Sequence, residues 1–264
     1  MPLPTFVIVG AQKSGTTTLH DWLGQVERIW VSSPKELHYF DNPGKRGPRW
    51  YPKQFEPGPD DLAWGESTPI YLYRDAARAA MAEALPDTRF IAILREPVSR
   101  AYSHYWFARR KGVEEIETFA EAVAAEPERL ASRPDRQPAA GSYLDRGRYL
   151  RQLVDLADRV GRDRIQVHLT EDLRRDPLGV LRRTCDFIGV PGADVSGVEL
   201  EHKNTFADRS VNAAGPPRRA SSPPELPDAY PPIDPELRQR LRSDFAADNA
   251  ALADWLGRDL GEWD

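Results

Sequence analysis

The sequence has few features that would suggest a disulfide, a metal site or a membrane segment. A single cysteine, Cys185, in 264 residues excludes an internal disulfide and is typical of a reducing compartment. No group of cysteines and histidines has the spacing of metal ligands, so no metal is predicted. No apolar run reaches the roughly 18–20 residues that a membrane-spanning helix needs. The N-terminal residues lack a basic start followed by a long apolar segment, so we expect a soluble, cytoplasmic protein.

An excess of basic charge is also absent. The formal net charge is −5 at pH 7, which gives no reason to expect a nucleic-acid partner, although a local basic pocket is compatible with it. A chain of 264 residues that is 40% hydrophobic can bury a sizeable core. We therefore predict one domain over residues 1–264. The composition gives no indication of an oligomeric state.

Buried strands alternate with helical segments along the chain. Three apolar runs predict strands at Thr5–Val9, Arg89–Leu94 and Ile165–Leu169, and the stretch Ile29–Ser32 is short and extended. Helical patterns cover residues 16–26, 75–85, 98–111, 118–125, 149–160, 177–188 and 235–256. This order predicts a three-layer α/β fold, with a central, mainly parallel sheet flanked by helices.

Two further segments are predicted to be loops, and a third is predicted to contain a turn. Residues 64–73 contain the turn-like sequence GESTP, and residues 44–61 are rich in proline, glycine and charge. Residues 126–141 are polar and contain proline, which predicts a mobile loop. The fold therefore depends on the alternating segments around them.

The segment GAQKSGTTTL, residues 10–19, follows the first strand and opens the first helix. A loop in this position offers unpaired backbone N–H groups and the positive end of the helix dipole to an anion. Lys13 adds a charge, Gly15 permits close approach of the backbone, and hydroxyls follow at Ser14, Thr16, Thr17 and Thr18. The ATPase and GTPase loop reads G-x-x-x-x-G-K-[ST], whereas here the lysine precedes the second glycine. The alternative is a glycine turn whose hydroxyls only cap the helix.

A second candidate anion site follows the strand Arg89–Leu94. Arg95 comes directly after that strand, at the edge of the sheet where open α/β folds bind ligands, and Ser103 follows about two helical turns later. Arginine can bind an anion with two parallel hydrogen bonds, and the serine hydroxyl can add a third. Two anion sites suit a nucleotide with phosphates at both its 3′ and 5′ positions. The alternative is that Arg95 pairs with a structural carboxylate.

Together these motifs resemble the sulfotransferases that use 3′-phosphoadenosine 5′-phosphosulfate (PAPS). QKSGTTTL is similar to their 5′-phosphosulfate loop and REPVSRAYSHY to their 3′-phosphate segment. PKELHYFD, GESTPIYL, YLDRGRYLRQL and the C-terminal FAADNAALADWLGRDLGEWD extend the resemblance over most of the chain. The sequence KELHYFD is most similar to the heparan sulfate sulfotransferase branch and its bacterial relatives. The resemblance implies a P-loop-like fold, PAPS as donor and 3′-phosphoadenosine 5′-phosphate (PAP) as product.

The resemblance also implies catalytic roles. Lys13 is expected to stabilise the leaving phosphate oxygen, and Glu36 in KELHYFD is expected to be the general base. His38 shares a face with Glu36 if the segment is extended, so it could orient Glu36, contact the acceptor, or serve as the base. Asp41 could complete the polar group. The alternative is that Lys35 and Glu36 form a solvated pair while His38 packs against a neighbouring ring.

The remaining predictions concern the acceptor and the late segment. Glu66 and Ser67 match a loop near the acceptor cleft, and Ser67 replaces the lysine usual in heparan sulfate enzymes, which argues against a highly anionic polysaccharide. Trp106 and Tyr143 are candidate acceptor contacts, although Tyr143 could equally be a packing residue. Lys203 and Arg209 are expected to close over the nucleotide.

The predicted reaction is sulfuryl transfer to a hydroxyl, with an amine as the alternative, of a small metabolite, glycolipid or glycan. Two other functions remain open from the sequence. One is a P-loop nucleotide kinase or NTPase, which the position of Lys13 disfavours. The other is a non-catalytic nucleotide-binding module, which the presence of both Lys13 and Glu36 disfavours.

Overall fold

The computed structural model describes residues 2–42, 44–132, 141–201 and 230–263. Contacts divide the chain into two compact units. The first combines Met1–Arg95 with Arg151–Lys203, and the second combines Glu96–Leu150 with Asn204–Asp264. Each unit has its own hydrophobic core, so each is described separately.

The first unit is built on a five-stranded sheet of order β2-β3-β1-β4-β5. All of its pairings are parallel. The strands are β1 (Phe6–Gly10), β2 (Ile29–Val31), β3 (Ala63–Ser67), β4 (Arg89–Leu94) and β5 (Ile165–Leu169). The predicted α/β class with a central parallel sheet and flanking helices is confirmed. Since every strand runs the same way, their carboxyl ends meet at one edge of the sheet.

Both faces of this sheet are covered, which explains why its strands are apolar throughout. Phe6 and Ile8 of β1 lie in the cluster formed with Trp22 and Leu181, and all four are fully buried. Side chains alternate along a strand, so Val7, also fully buried, faces the opposite layer. A strand buried on both faces has no polar alternation, and its sequence FVIV reflects this.

Strand β3 occupies residues for which the sequence predicted a turn. The segment Ala63–Ser67 pairs with β1 and β2 instead of turning. Gly65 suggested a turn, yet it is needed inside the strand because a Cβ there would lie 2.3 Å from the Phe6 carbonyl oxygen. The close approach of two backbones therefore explains this glycine.

The helices of the first unit pack around the sheet. They are α1 (Thr16–Leu23), α2 (Asp75–Ala84), α7 (Thr170–Arg175) and α8 (Pro177–Phe187), together with most of α6 (Tyr149–Val160). Helix α8 begins as predicted, with proline in its first turn and the Asp176 carboxylate accepting a hydrogen bond from the Gly179 amide. Cys185 on α8 is fully buried, and burial raises the pKa of its thiol to about 11. The prediction of a buried thiol is therefore confirmed.

The second unit is helical in its described residues. It contains α3 (Pro97–Arg110), α4 (Phe119–Ala124), α5 (Glu126–Ala131) and α9 (Pro235–Leu256). The carboxylate of Glu96 caps α3 by accepting hydrogen bonds from the amides of Val98 and Ser99. Val98, Tyr105 and Phe245 form part of the core. No helix among the described residues is both long and apolar enough to cross a bilayer.

Helix α5 corrects the prediction of a mobile loop over residues 126–141, of which residues 133–140 lie outside the described part. Proline at the second position of α5 suits a helix start. The buried Glu126 carboxylate accepts hydrogen bonds from the amides of Leu144 and Asp145, at 2.7 and 2.8 Å. These tertiary bonds fix a segment whose polar composition alone indicated a loop.

Candidate functional site

The loop between β1 and α1 turns sharply at two positions. Lys13 has a φ of 72° and Gly15 a φ of 102°, both in the left-handed region. Glycine adopts that conformation without steric cost, and a Cβ on Gly15 would lie 3.2 Å from a methyl carbon of Leu173. The loop therefore needs glycine at position 15 both for its backbone angle and for packing.

Neighbouring strands hold this loop in place. The Arg95 guanidinium, just past the end of β4, donates a hydrogen bond to the Lys13 carbonyl at 3.2 Å. The Thr170 hydroxyl, just past β5, contacts the carbonyl oxygens of Ser14 and Leu94 at 2.8 and 3.0 Å. Lys13 and Arg95 thus lie together at the carboxyl edge of the sheet, where the sequence placed them.

The loop offers several polar groups at this edge. Ser14 is fully buried, and its hydroxyl has no hydrogen-bond partner among the described residues. Buried hydroxyls are nearly always satisfied, so an orphaned one indicates a missing partner. Thr16 and Thr18 are buried, whereas Lys13 and Thr17 are partly exposed. The arrangement is suited to an anion that accepts from the loop.

A second polar group lies on the segment between β2 and β3. The Glu36 amide donates to the carbonyl of Ser67, the last residue of β3, at 3.1 Å. This bond brings Glu36 to the carboxyl edge of the sheet. The sequence predicted an extended segment here, but Glu36 and His38 have φ values of 65° and 51°. Their side chains therefore meet because both residues have left-handed backbone conformations, and not because they share a face of an extended segment.

Four charged side chains converge on this segment. The Lys35 ammonium donates to Glu36 Oε1 at 2.8 Å, and His38 Nε2 lies 3.4 Å from Glu36 Oε2. His38 Nδ1 lies 3.0 Å from Asp41 Oδ2. The His38 and Glu36 side chains are 44% and 42% exposed, whereas Asp41 is only 8% exposed. His38 is thus held between two carboxylates, one of which faces solvent.

These contacts shift the pKa values of His38 and Glu36 in opposite directions. Hydrogen bonds to Asp41 and Glu36 raise the pKa of His38 to about 9, although burial opposes this. Burial alone would raise the pKa of Glu36, but His38 and Lys35 outweigh it and lower that pKa to about 2. At neutral pH the group is therefore an ionised carboxylate beside an imidazolium and an ammonium.

Glu66 and Ser67 lie beneath this segment at the end of β3, and both are fully buried. The Glu66 carboxylate accepts from the hydroxyls of Tyr51 at 2.9 Å and Thr68 at 2.5 Å, and burial raises its pKa. The Ser67 hydroxyl has no hydrogen-bond partner among the described residues. Contact with an acceptor stays a prediction for both residues.

The other predicted site residues lie in the second unit or outside the described part. On α3, the Ser103 hydroxyl lies 3.4 Å from that of Tyr230, whose ring stacks on Trp106. Tyr143 is fully buried, and its hydroxyl donates to Glu114 at 2.7 Å. Lys203 and Arg209 fall outside the described residues. The nucleotide and acceptor roles of all five stay predictions.

Sequence reasoning missed several supporting residues. Arg46 donates to the carbonyl of Leu37, between Glu36 and His38, at 2.9 Å. The Tyr71 hydroxyl accepts from the Tyr39 amide at 2.9 Å. Arg46 lies in an irregular segment without periodicity, so no pattern could have indicated it. Tyr71 follows GESTP in the sequence, and its position on the strand-end turn was the available signal.

A parallel sheet with a glycine–lysine loop at its carboxyl edge is typical of nucleotide-binding α/β proteins. The comparison with family models specifies the class further. Residues 3–213 match the model described as "Sulfotransferase domain". The chain belongs to the sulfotransferase family. The predicted family and the predicted enzyme class are therefore confirmed at the level of the family.

Curated relatives agree with this assignment. Human heparan sulfate glucosamine 3-O-sulfotransferase 3B1 is 28% identical over 262 residues, which cover 99% of this chain and 65% of the relative. Membrane-associated sulfotransferase kil1 of Dictyostelium discoideum is 35% identical over 109 residues, which cover 40% of this chain and 23% of the relative. The chain thus spans less than two thirds of these relatives.

Solved structures show the same fold. A sulfotransferase from Alicyclobacillus acidocaldarius superposes with a TM-score of 0.78 at 29% identity, covering 100% of this chain and 99% of the other. Mouse sulfotransferase SULT7A1, solved in complex with PAP, superposes with a TM-score of 0.54 at 15% identity, covering 80% of this chain and 67% of the other. The second likeness is one of fold alone.

Proposed function

We propose that this protein transfers a sulfuryl group from PAPS to the hydroxyl of an acceptor, with an amine as the alternative nucleophile. The observation that carries the proposal is the juxtaposition at one sheet edge of an anion-binding loop and a carboxylate–histidine pair. The loop carries Lys13, and the pair is Glu36 with His38. Membership of the sulfotransferase family supports the reaction class.

The loop fits the 5′-phosphosulfate of PAPS. The orphaned Ser14 hydroxyl, the left-handed Gly15 and the N-terminus of α1 would hold it, with Lys13 supplying positive charge. When bound, PAPS supplies the sulfuryl group and a phosphate leaving group. Arg95 already orders the loop through the Lys13 carbonyl and is proposed to bind the 3′-phosphate. No metal is required in this proposal because cationic side chains provide the neutralising charge.

Glu36 is proposed as the general base. Its carboxylate is partly exposed and ionised at neutral pH, so it can accept the proton of an acceptor hydroxyl. A pKa of about 2 makes a resting carboxylate a weak base, so an acceptor that displaces Lys35 or His38 would strengthen it. His38, fixed by Asp41, is proposed to orient Glu36 and to stabilise its charge before transfer.

The acceptor is proposed to be a small metabolite, glycolipid or glycan. The heparan sulfate relative supports a sugar hydroxyl, whereas Ser67, in place of a lysine, weighs against a densely anionic polymer.

Incubation with PAPS and a panel of phenols, amines and glycosides, followed by mass spectrometry, tests the reaction. We expect an acceptor that gains one SO3 and an equal amount of PAP. Intact PAPS across the panel, together with magnesium-dependent ATP hydrolysis, would favour the NTPase alternative.

The pH profile is expected to identify the base. If Glu36 is the base and protonated His38 holds it, kcat/KM is level near neutrality and falls as pH rises through about 9, where His38 loses its proton. If His38 is the base, kcat/KM instead rises toward pH 9. Initial rates between pH 5 and 10 distinguish the two, and His38→Asn is expected to remove the alkaline limb.

A further inference from the structure

The side chains of Lys35, Glu36, His38 and Asp41 are called the Glu36 group. An open cavity lies on the segment that follows this group in the sequence. It has a volume of about 400 Å³ and is lined by Gly47, Pro48, Arg49, Trp50 and Lys53. Its wall is therefore mostly apolar and carries two cationic side chains. The reaction proposed above uses none of these residues.

The charged residues of the segment that lines this cavity, residues 44–55, are all basic. Lys45, Arg46, Arg49 and Lys53 are all exposed, and residues 44–55 contain no acidic residue. Among the residues that the structure describes, none of these four cations forms an ion pair with a carboxylate. This positive patch stands on a chain whose net charge is −5. Unpaired positive charge beside an apolar wall is suited to an organic anion.

Three contacts connect the cavity wall to the segment that contains Glu36 and His38. The Arg46 guanidinium lies 3.6 Å from the centre of the Trp50 ring, and Tyr39 stacks against Trp50 with an interplanar angle of 19°. The same Arg46 donates to the Leu37 carbonyl, between Glu36 and His38. Trp50 is therefore fixed by two residues that also belong to, or contact, the Glu36 segment.

We propose that the cavity lined by Arg49, Trp50 and Lys53 is an acceptor subsite for an aromatic or other apolar group that carries one anionic substituent. The subsite rests on the proposed function, since its Trp50 stacks on Tyr39 of the segment that carries the proposed base. In this subsite Arg49 and Lys53 provide the positive charge that recognises the anionic substituent, whereas position 67 is a serine. It therefore selects a compact, singly charged acceptor over a neutral one.

The test compares two probes that differ in one charge: 2-naphthol and 6-hydroxynaphthalene-2-sulfonate. Their fluorescence is titrated with the full chain at saturating PAP, so that the nucleotide loop is not available to the sulfonate. We expect the sulfonate to bind at least about fivefold more tightly than the naphthol, an effect consistent with two exposed charge contacts. Arg49→Ala with Lys53→Ala should abolish that difference, and Trp50→Ala should weaken both probes.

Arg240→Ala is the matched control, because Arg240 is an exposed cation on α9 in the second unit. It should leave the preference unchanged, and thermal melting should show that all variants are folded. Equal affinity for the two probes in the wild type, or a preference that survives the double variant, would overturn the subsite. Calorimetry with PAP separates the two proposals: PAP binding without sulfonate preference rejects only the subsite, whereas failure to bind PAP rejects the proposed function.

Discussion

Glu36→Gln is expected to lower kcat by about 10²–10⁴-fold, the usual contribution of a general base. The amide keeps the shape of the side chain and can still accept one hydrogen bond from Lys35, but it cannot take a proton from the acceptor. PAP affinity should remain near the wild-type value because the nucleotide loop is held by separate contacts with Arg95 and Thr170. Steady-state kinetics and calorimetry on the same protein check both parts.

Glu56→Gln is a suitable control for this experiment, since Glu56 is exposed and lies outside the polar group. Its kcat should match the wild type. An active Glu36→Gln enzyme would assign the base to His38 or to the acceptor itself. If the base is His38, His38→Asn should cause the large loss, and the pH profile of the wild type should rise toward pH 9.

Lys13→Ala is expected to lower kcat by about 10²–10³-fold, comparable to the removal of one charge-stabilising donor in other enzymes. The ammonium group is proposed to stabilise the leaving phosphate oxygen, an interaction that strengthens as charge develops in the transition state. The backbone should be unaffected, because Arg95 bonds to the Lys13 carbonyl and alanine pays no more than lysine for the left-handed conformation.

Lys13→Arg provides the comparison for this variant. It retains the positive charge, so it should recover part of the lost rate and bind PAP better than Lys13→Ala does. If Lys13→Ala kept the full kcat and lost only PAP affinity, Lys13 would be a binding residue without a role in transfer. Single-turnover rates at saturating PAPS distinguish the two roles.

The positions of the nucleotide loop and of the carboxyl edge of the sheet could be predicted from the sequence for a physical reason. Strands β1 and β4 are apolar throughout because both of their faces are buried, so their ends could be identified. Loops at the carboxyl ends of parallel strands lie at the same edge of the sheet, so the sequence predicted that Lys13 and Arg95 share that edge. Gly15 followed from the same reasoning, since a sharp entry into a helix favours glycine.

The sequence predicted which residues form the Glu36 group but not how they are arranged. Its residues were suggested by a family resemblance, whereas positive φ values are uncommon outside glycine, and nothing in the residue spacing indicated them at both Glu36 and His38. Burial of Glu66 was also unpredictable, because a glutamate is rarely buried unless partners such as Tyr51 and Thr68 satisfy it. Such partners are fixed by tertiary structure and not by local spacing.

Irregular segments limited the prediction in the same way. Arg46 donates to the Leu37 carbonyl nine positions earlier in the sequence, and neither periodicity nor turn chemistry encodes that contact. Strand β3 was missed because Gly65 is typical of turns, although here it admits the Phe6 backbone. In both cases a contact between distant or irregular segments outweighed the local signal.

Calorimetric titration with PAP is the most direct measurement of whether this edge of the sheet binds a doubly phosphorylated adenosine. We expect one PAP molecule per chain with a dissociation constant in the micromolar range, no requirement for magnesium, and weaker binding by Lys13→Ala and Arg95→Ala. Absence of PAP binding, or tight magnesium-dependent binding of ATP in its place, would contradict the account.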